Sequence, residues 1–220
     1  MATIDEIVTR IARRCRRKAT SGSNFHTEIL DELTLATAKL EESPTLPWFL
    51  LFNDTFAAAA NDDDLSVLSD FTATFIRFAD DEPLTYVDPT GEADENVVLV
   101  QNSELLILKQ RYPGTGEIPK EFTLDNDIVY LRPSPTQAIT YKPRYYRRDP
   151  TAVAASATTL WSTNFSDLLS NMAGKEIAWS LRDTDAFNLF KEDLVLAQRN
   201  YIRAVEARAQ AGQSHEMGDP

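Results

Sequence analysis

Few side chains in this sequence have the types and spacing that catalysis or metal binding demands. The 220 residues hold one cysteine, Cys15, and two histidines, His26 and His215. A lone cysteine closes no intramolecular disulfide and builds no multi-cysteine metal site. Two distant histidines leave little for zinc or for proton transfer near neutral pH. The run Asp62-Asp63-Asp64 lacks the glycine and spaced oxygen ligands of an EF-hand loop, so it reads as a solvated loop before a calcium site. Gly114-Thr115-Gly116 lacks the lysine and helix start of a phosphate-binding loop. No His-Glu-x-x-His, Gly-x-Ser-x-Gly or Cys–His arrangement is present. Carboxylates abound, yet no spacing marks one pair for glycosidic acid–base work. The expectation is a chain without catalytic residues, cofactor or metal.

What remains is charge. Arg13, Arg14, Arg16, Arg17 and Lys18 form a cluster that can meet DNA or an acidic protein surface, or simply end a helix in solvent. Arg199, Arg203 and Arg208 form a second candidate interface. The net charge is −12, and it is unevenly placed. Residues 41–100 hold fourteen acids and a single base, Arg77, whereas residues 1–40 are slightly basic and residues 101–220 nearly balanced. Asp62, Asp63, Asp64, Asp80, Asp81 and Glu82 are the candidate acidic loops, able to line a channel. So acidic a chain is a poor sequence-specific duplex binder, which usually presents a basic face.

The elements that must position these residues follow from pattern. With 43% hydrophobic residues the chain can build a core. No apolar run approaches a membrane span, and no signal-peptide core opens it, so a cytoplasmic origin is expected. Thr3-x-x-Glu6 is a capping box before Ile4, Ile7, Val8, Ile11 and Cys15 at helical spacing. A turn follows, with Asn24 as N-cap of a second helix over about Phe25–Glu42, stopped by Pro44 and Pro47. Leu46–Phe52 is an apolar patch of large side chains. Phe71–Phe78 and Leu84–Val87 read as strands joined by a hairpin loop at Asp80–Pro83, and Asp88–Glu92 as a turn. Residues 103–112 read as a short helix capped by Ser103. Ile128–Leu131 and Ile139–Tyr141, the latter continued by Arg144–Arg148, are β-rich. An Ala/Ser/Thr bridge over residues 151–159 leads to a third helix near Thr163, with Phe165, Leu168, Leu169, Met172 and Ile177 facing inward. Asp183-Thr184-Asp185 caps a fourth. On it Phe187, Phe190, Leu194, Ala197, Tyr201 and Val205 step by three and four. The expected fold is α+β: a four-helix bundle from N- and C-terminal helical hairpins (residues 1–52 and 160–211), a β-rich insertion (53–150), and a flexible tail (212–220).

Residues 113–146 add a resemblance. Gly116-Glu117-Ile118-Pro119 precedes the aromatic run Lys120–Leu124; after the turn Asp125-Asn126-Asp127 come Ile128–Leu131 and Pro133-Ser134-Pro135, then a last run reaching Tyr145-Tyr146. This order resembles the tailed-phage head-to-tail adaptor (connector) family, and the flanking helices agree with it over residues 1–211. Residues 53–103 depart from the pattern, being longer and more acidic. The resemblance implies a virion structural protein at the neck, assembled in the host cytoplasm. It implies a ring, usually of twelve copies, that binds the portal protein, receives a tail, nozzle or terminator protein and lets packaged DNA pass without sequence-specific contact or a membrane. A head-completion stopper or tail-tube terminator is the rival within virion proteins.

Overall fold

The computed structural model describes residues 2–62, 64–66, 74–79, 83–87, 96–98, 100–101, 104–116, 119–126 and 128–215. They form two compact units: Met1–Phe49 with Asp149–Pro220, which is helical, and Leu50–Arg148, which carries the strands. The protein is α+β.

Helix α1 (Ile4–Arg14) starts at Thr3, whose hydroxyl accepts from Glu6 N–H while the Glu6 carboxylate accepts from Thr3 N–H. Ile4, Ile7, Val8, Ile11 and Ala12 form its buried face. The expected basic last turns are shorter than the cluster: the helix stops at Arg14, and Arg16, Arg17 and Lys18 follow it. Helix α2 (Asn24–Glu41) is capped by Ser23, which accepts from His26 N–H at 3.2 Å. Asn24 is the first helical residue, so the cap lies one residue before its expected place. Both side chains can cap; Ser23 is the one with extended backbone.

In the second unit, β1 (Leu51–Asn53), β2 (Phe56–Ala58), β3 (Asp64–Ser66), β4 (Phe75–Phe78), β5 (Leu84–Val87), β6 (Asn96–Val98) and β7 (Val100–Gln101) precede helix α3 (Leu105–Arg111). Then come β8 (Thr115–Gly116), β9 (Glu121–Asp125), β10 (Ile128–Arg132), β11 (Ser134–Pro135) and β12 (Ile139–Arg147). The long β12 organises the largest sheet. Its residues alternate, with Ile139, Tyr141, Pro143 and Tyr145 buried and their neighbours half-buried, the period-two signature of a strand with one core face. β1 and β2 follow one another along one edge of β12, β4 and β5 along the other.

That second edge corrects the expected hairpin. Arg144 N–H donates to Pro83 O at 3.0 Å, and Arg144 O accepts from Ala79 N–H at 2.9 Å. β4 and β5 therefore use β12 as their common partner. Pro143 sits mid-strand without an N–H, and its carbonyl accepts from Asp54 N–H at 3.2 Å, in the gap between β1 and β2. The missing donor falls where pairing is already interrupted, which is how a central strand tolerates proline. β9 and β10 form an antiparallel hairpin turning at Asn126, whose φ is +51°, a conformation asparagine accepts readily. Phe122, Val129, Leu131, Tyr141 and Tyr145 are the centre of this unit's core. Burial raises the pKa of the Tyr141 and Tyr145 hydroxyls and so disfavours their ionisation, with Asp54 adding to the effect at Tyr145.

The short helix α3 agrees with the expectation for residues 103–112, except that Glu104 is its N-cap, without a side-chain bond. Ser103, residues 71–73 and the Asp88–Glu92 turn lie outside the described residues.

The chain re-enters the helical unit at Asp149, earlier than expected. Ile4 N–H donates to Ala157 O at 2.9 Å, and Ser156 Oγ donates to the Asp5 carboxylate at 2.9 Å. The Ala/Ser/Thr bridge thus packs on the start of α1. A separate helix α4 (Leu160–Asn164), capped by Thr159, precedes α5 (Ser166–Ser180). Helix α6 (Thr184–His215) runs through residues 212–215, which were expected as flexible tail; residues 216–220 lie outside the described residues. Helix α5 is central, packing against α1, α2, α4 and α6. The stripe on α6 faces inward: Phe190, Ala197 and Tyr201 are buried, and Phe187, Leu194 and Val205 half-buried.

Candidate functional site

Two helices end side by side in the same unusual way. After α1, Arg16 takes φ +50°, its N–H donating to Arg13 O and Arg17 N–H donating to Ala12 O. After α5, Arg182 takes φ +55°, its N–H donating to Trp179 O and Asp183 N–H donating to Ala178 O. Both are Schellman terminations, in which glycine normally holds the left-handed position. Here arginine holds it twice, against a steric penalty of roughly 1–2 kcal/mol each. Asp183 then starts α6, accepting from Ala186 N–H at 3.0 Å.

The two ends lie close together. Cys15 at the end of α1 is pushed up to about 11, first by burial and then by the Asp183 carboxylate, with Arg17 opposing. Ser180 Oγ donates to the Glu28 side chain of α2 at 3.1 Å. The Arg17 guanidinium stands over the Phe25 ring at 5.6 Å. One end of the helical unit therefore gathers Arg13, Arg16, Arg17, Lys18 and Arg182, together with the acids Glu28, Asp183 and Asp185. Trp179 is 69% exposed there, its ring 5.6 Å from Phe187. The two rings, with Arg182, Asp183 and Thr184, line an open hollow of about 570 Å³.

Of the cations expected at an interface, Arg13 and Arg17 are exposed at this end. Arg14 has turned inward. It pairs with Asp193 at 2.7 Å, donates to Asn171 Oδ1 at 3.2 Å and lies 5.2 Å from the Phe190 ring. Its neighbour Arg10 pairs with Asp167. Arg199, Arg203 and Arg208 are exposed along α6. At about 1.5 Å per residue, Arg199 is some 22 Å from the start of that helix. The two candidate clusters are thus separate features. Asp62 is half-buried and Asp64 exposed at the start of β3; Asp63, Asp80, Asp81 and Glu82 lie outside the described residues.

At the far end of α2, an anchor holds the returning chain. Glu41 is buried; its carboxylate accepts from Asp149 N–H at 2.9 Å and Trp161 Nε1–H at 3.3 Å. Asp149 in turn accepts from Leu160 and Thr151 N–H. Trp48, Phe49, Trp161, Phe165 and Tyr201 stack edge-on or tilted around it, with centroids 5.1–6.1 Å apart. Tyr201 OH donates to Thr45 O at 2.8 Å, and Arg208 stands 5.8 Å from the Trp48 ring. Sequence reasoning passed over Glu41, Asp149, Trp179 and Arg182. The available signal for Glu41 was an acid at the negative end of a helix dipole, where it is unfavourable unless something binds it.

Among the described residues, no group of three or more His, Cys, Asp or Glu side chains converges to hold a metal ion. No described helix is long and apolar enough to cross a membrane. No protein-family model matches the chain, and a search of curated proteins returns no match.

Proposed function

We propose that this chain is a virion structural subunit, an adaptor that assembles as a ring between a phage portal and its tail. The observation that carries the reading is the ordered run over residues 113–146. Its aromatic and aliphatic strands are β9 and β10, its Pro-Ser-Pro segment follows, and its tandem tyrosines Tyr145 and Tyr146 end the strand on which the largest sheet is built. On this reading α1, α2, α5 and α6 act as a four-helix bundle that carries the docking surfaces. The strand unit is the insertion, and its acidic residues keep passing DNA from adhering, since like charge repels the phosphate backbone.

Purified subunit mixed with its portal and imaged in negative stain tests this. A ring on the portal supports the adaptor. A ring that forms only on tail tubes supports the stopper or terminator reading instead.

A further inference from the structure

We infer that the outward face of α6 pairs with the same face of a second copy of this chain, the two helices running antiparallel about a two-fold axis between Val195 and Leu196. The inference goes beyond the adaptor reading and does not depend on it. Where both hold, the pair is the form of the free subunit, because Arg199 is also among the cations offered to the portal.

Exposure is the first support. Leu189, Val195, Leu196 and Ile202 are 55%, 47%, 59% and 49% exposed. Single exposed leucines are ordinary on a protein surface, whereas apolar side chains gathered on one face mark a contact. At about 100° per residue these four lie on the side of α6 away from Phe190, Ala197 and Tyr201, which are buried in the helical unit. Leu189 and Leu196 form one rail and Val195 and Ile202 another, with Glu192 and Arg199 between the rails.

Symmetry is the second. Leu189, Glu192, Val195, Leu196, Arg199 and Ile202 are spaced by three, three, one, three and three residues. The series reads alike in both directions, apolar matching apolar, and its acid is answered by a base. A face so ordered complements itself when two copies run antiparallel. Val195 and Leu196 then meet their counterparts at the axis, and Glu192 of each copy faces Arg199 of the other. A parallel pair instead sets Glu192 against Glu192 and Arg199 against Arg199. Two-fold contacts of this self-matching kind are the commonest in homo-oligomers.

Charge is the third. Neither Glu192 nor Arg199 has an opposite charge three or four residues away on its helix, the spacing at which helical side chains meet. They stand about 10 Å apart along the axis, too far to pair with each other. Among the described residues neither makes an ion pair or hydrogen bond through its side chain, whereas the adjacent Asp193 holds Arg14. Glu192 opposes a phosphate backbone, and charges along the middle of the face break the apolar surface that a bilayer needs. A second copy supplies the missing partner of each charge. Four turns of one helix are small beside the roughly 800 Å² per partner of a standard interface, so the pair is weak and concentration-dependent.

Sedimentation equilibrium of the full chain tests the pair, from about 10 µM to about 1 mM protein, the range of a weak contact. Salt at about 150 mM damps the general repulsion between copies. Wild type is expected to pass from monomer to dimer, and Glu192→Arg and Arg199→Glu each to associate at least about tenfold more weakly. Glu192→Arg is the sharper case, because it makes a chain of net charge −12 less repulsive overall and yet should weaken the pair. Mixed in equal amounts, the two variants are expected to return to within about threefold of wild type, since each finds its complement in the other. Circular dichroism and urea titration establish that each variant is folded. Orientation is read by oxidation in a Cys15→Ala background. Leu196→Cys lies beside its counterpart across the axis and should form a disulfide between copies, whereas Leu189→Cys lies about 20 Å from its own and should not. Wild type that stays monomeric, a mixture no tighter than its components, or cross-linking at position 189 that equals or exceeds that at 196 overturns the inference. So does self-association unchanged in both variants while their binding to a DNA oligonucleotide or an anionic vesicle changes. Portal is absent throughout, so a ring on portal formed by a chain that is monomeric alone leaves the adaptor reading standing.

Discussion

The Phe190 ring of α6 rests directly on the backbone of Gly174 in α5: a Cβ at Gly174 would lie 2.4 Å from Phe190 Cε1. No ordinary side-chain carbon approaches so closely, so the glycine sets how near the two helices pack. Phe190 is fully buried and has the Arg14 guanidinium over its ring, so it has little room to retreat. Alanine at Gly174 gains roughly 1 kcal/mol of helix propensity but forces overpacking of about 1–3 kcal/mol. Gly174→Ala is expected to lower the urea midpoint modestly, and Gly174→Val much more. Phe190→Leu in the alanine background should recover part of the loss. A Gly174→Ala protein as stable as wild type would contradict this packing.

How much of this was legible beforehand depended on whether the signal was local. The Thr3/Glu6 capping box, the prolines after α2 and the three-four stripe of α6 are local, and each lies where the pattern put it. Partners at long range were not legible. β4 and β5 have ordinary strand composition, and nothing in it tells that both will pair with β12 instead of with each other. Gly174 interrupts a helical pattern, which hints at close approach, but not at Phe190. Arg14 was counted among free cations because its partners Asn171 and Asp193 lie more than 150 residues away. Arg16 and Arg182 stand where glycine would have announced a helix end, so each termination was placed less sharply than it forms.

Glu41 is expected to matter more than its charge suggests. Removing its carboxylate leaves the Asp149 N–H and the Trp161 indole N–H without their acceptor. Hydrogen bonds to a charged group contribute about 1.5–3 kcal/mol. Glu41→Ala should therefore lower the unfolding free energy from urea titration by an amount in that range, while Glu41→Gln, which keeps an acceptor oxygen, should lose less. Trp161 emission, shifted to the red in Glu41→Ala at low denaturant, would locate the loosening at this anchor. Equal effects of Ala and Gln would count against it.

Cys15 gives a pH dependence of defined sign. The thiol is 4% exposed and its ionisation is pushed from 9.0 up to about 11. The unfolded chain releases this proton at lower pH than the folded one does. Its contribution is thus unchanged below pH 9 and becomes destabilising as pH rises from 9 towards 11. Cys15→Ala should show a shallower fall in stability across that window than wild type, while the buried tyrosines set the fall common to both. Native Cys15 should also resist an aromatic disulfide reagent at pH 8 and react once unfolded, since the thiolate is the nucleophile. Rapid labelling of the native protein would refute the burial.

The last turns of α6 are expected to serve binding more than folding. Tyr201 is the final buried side chain described on this helix, and its hydroxyl ties it to Thr45. Beyond it, Arg203 is exposed and Arg208 touches only the rim of the aromatic anchor, over Trp48. A chain ending after Arg208 should keep its helical signal, and its urea midpoint should fall by less than about 0.5 kcal/mol equivalent, as for changes away from the core. If the C-terminal end of α6 is the portal-docking element, the same truncation should no longer be retained by immobilised portal. Arg199→Glu/Arg203→Glu in the full chain should weaken retention in a salt-dependent way, since exposed charges act mainly through screened attraction. Retention of the truncated chain at undiminished affinity would move the docking surface to the end of α1. A truncation that instead unfolds the helical unit would show that the terminal turns are part of its core.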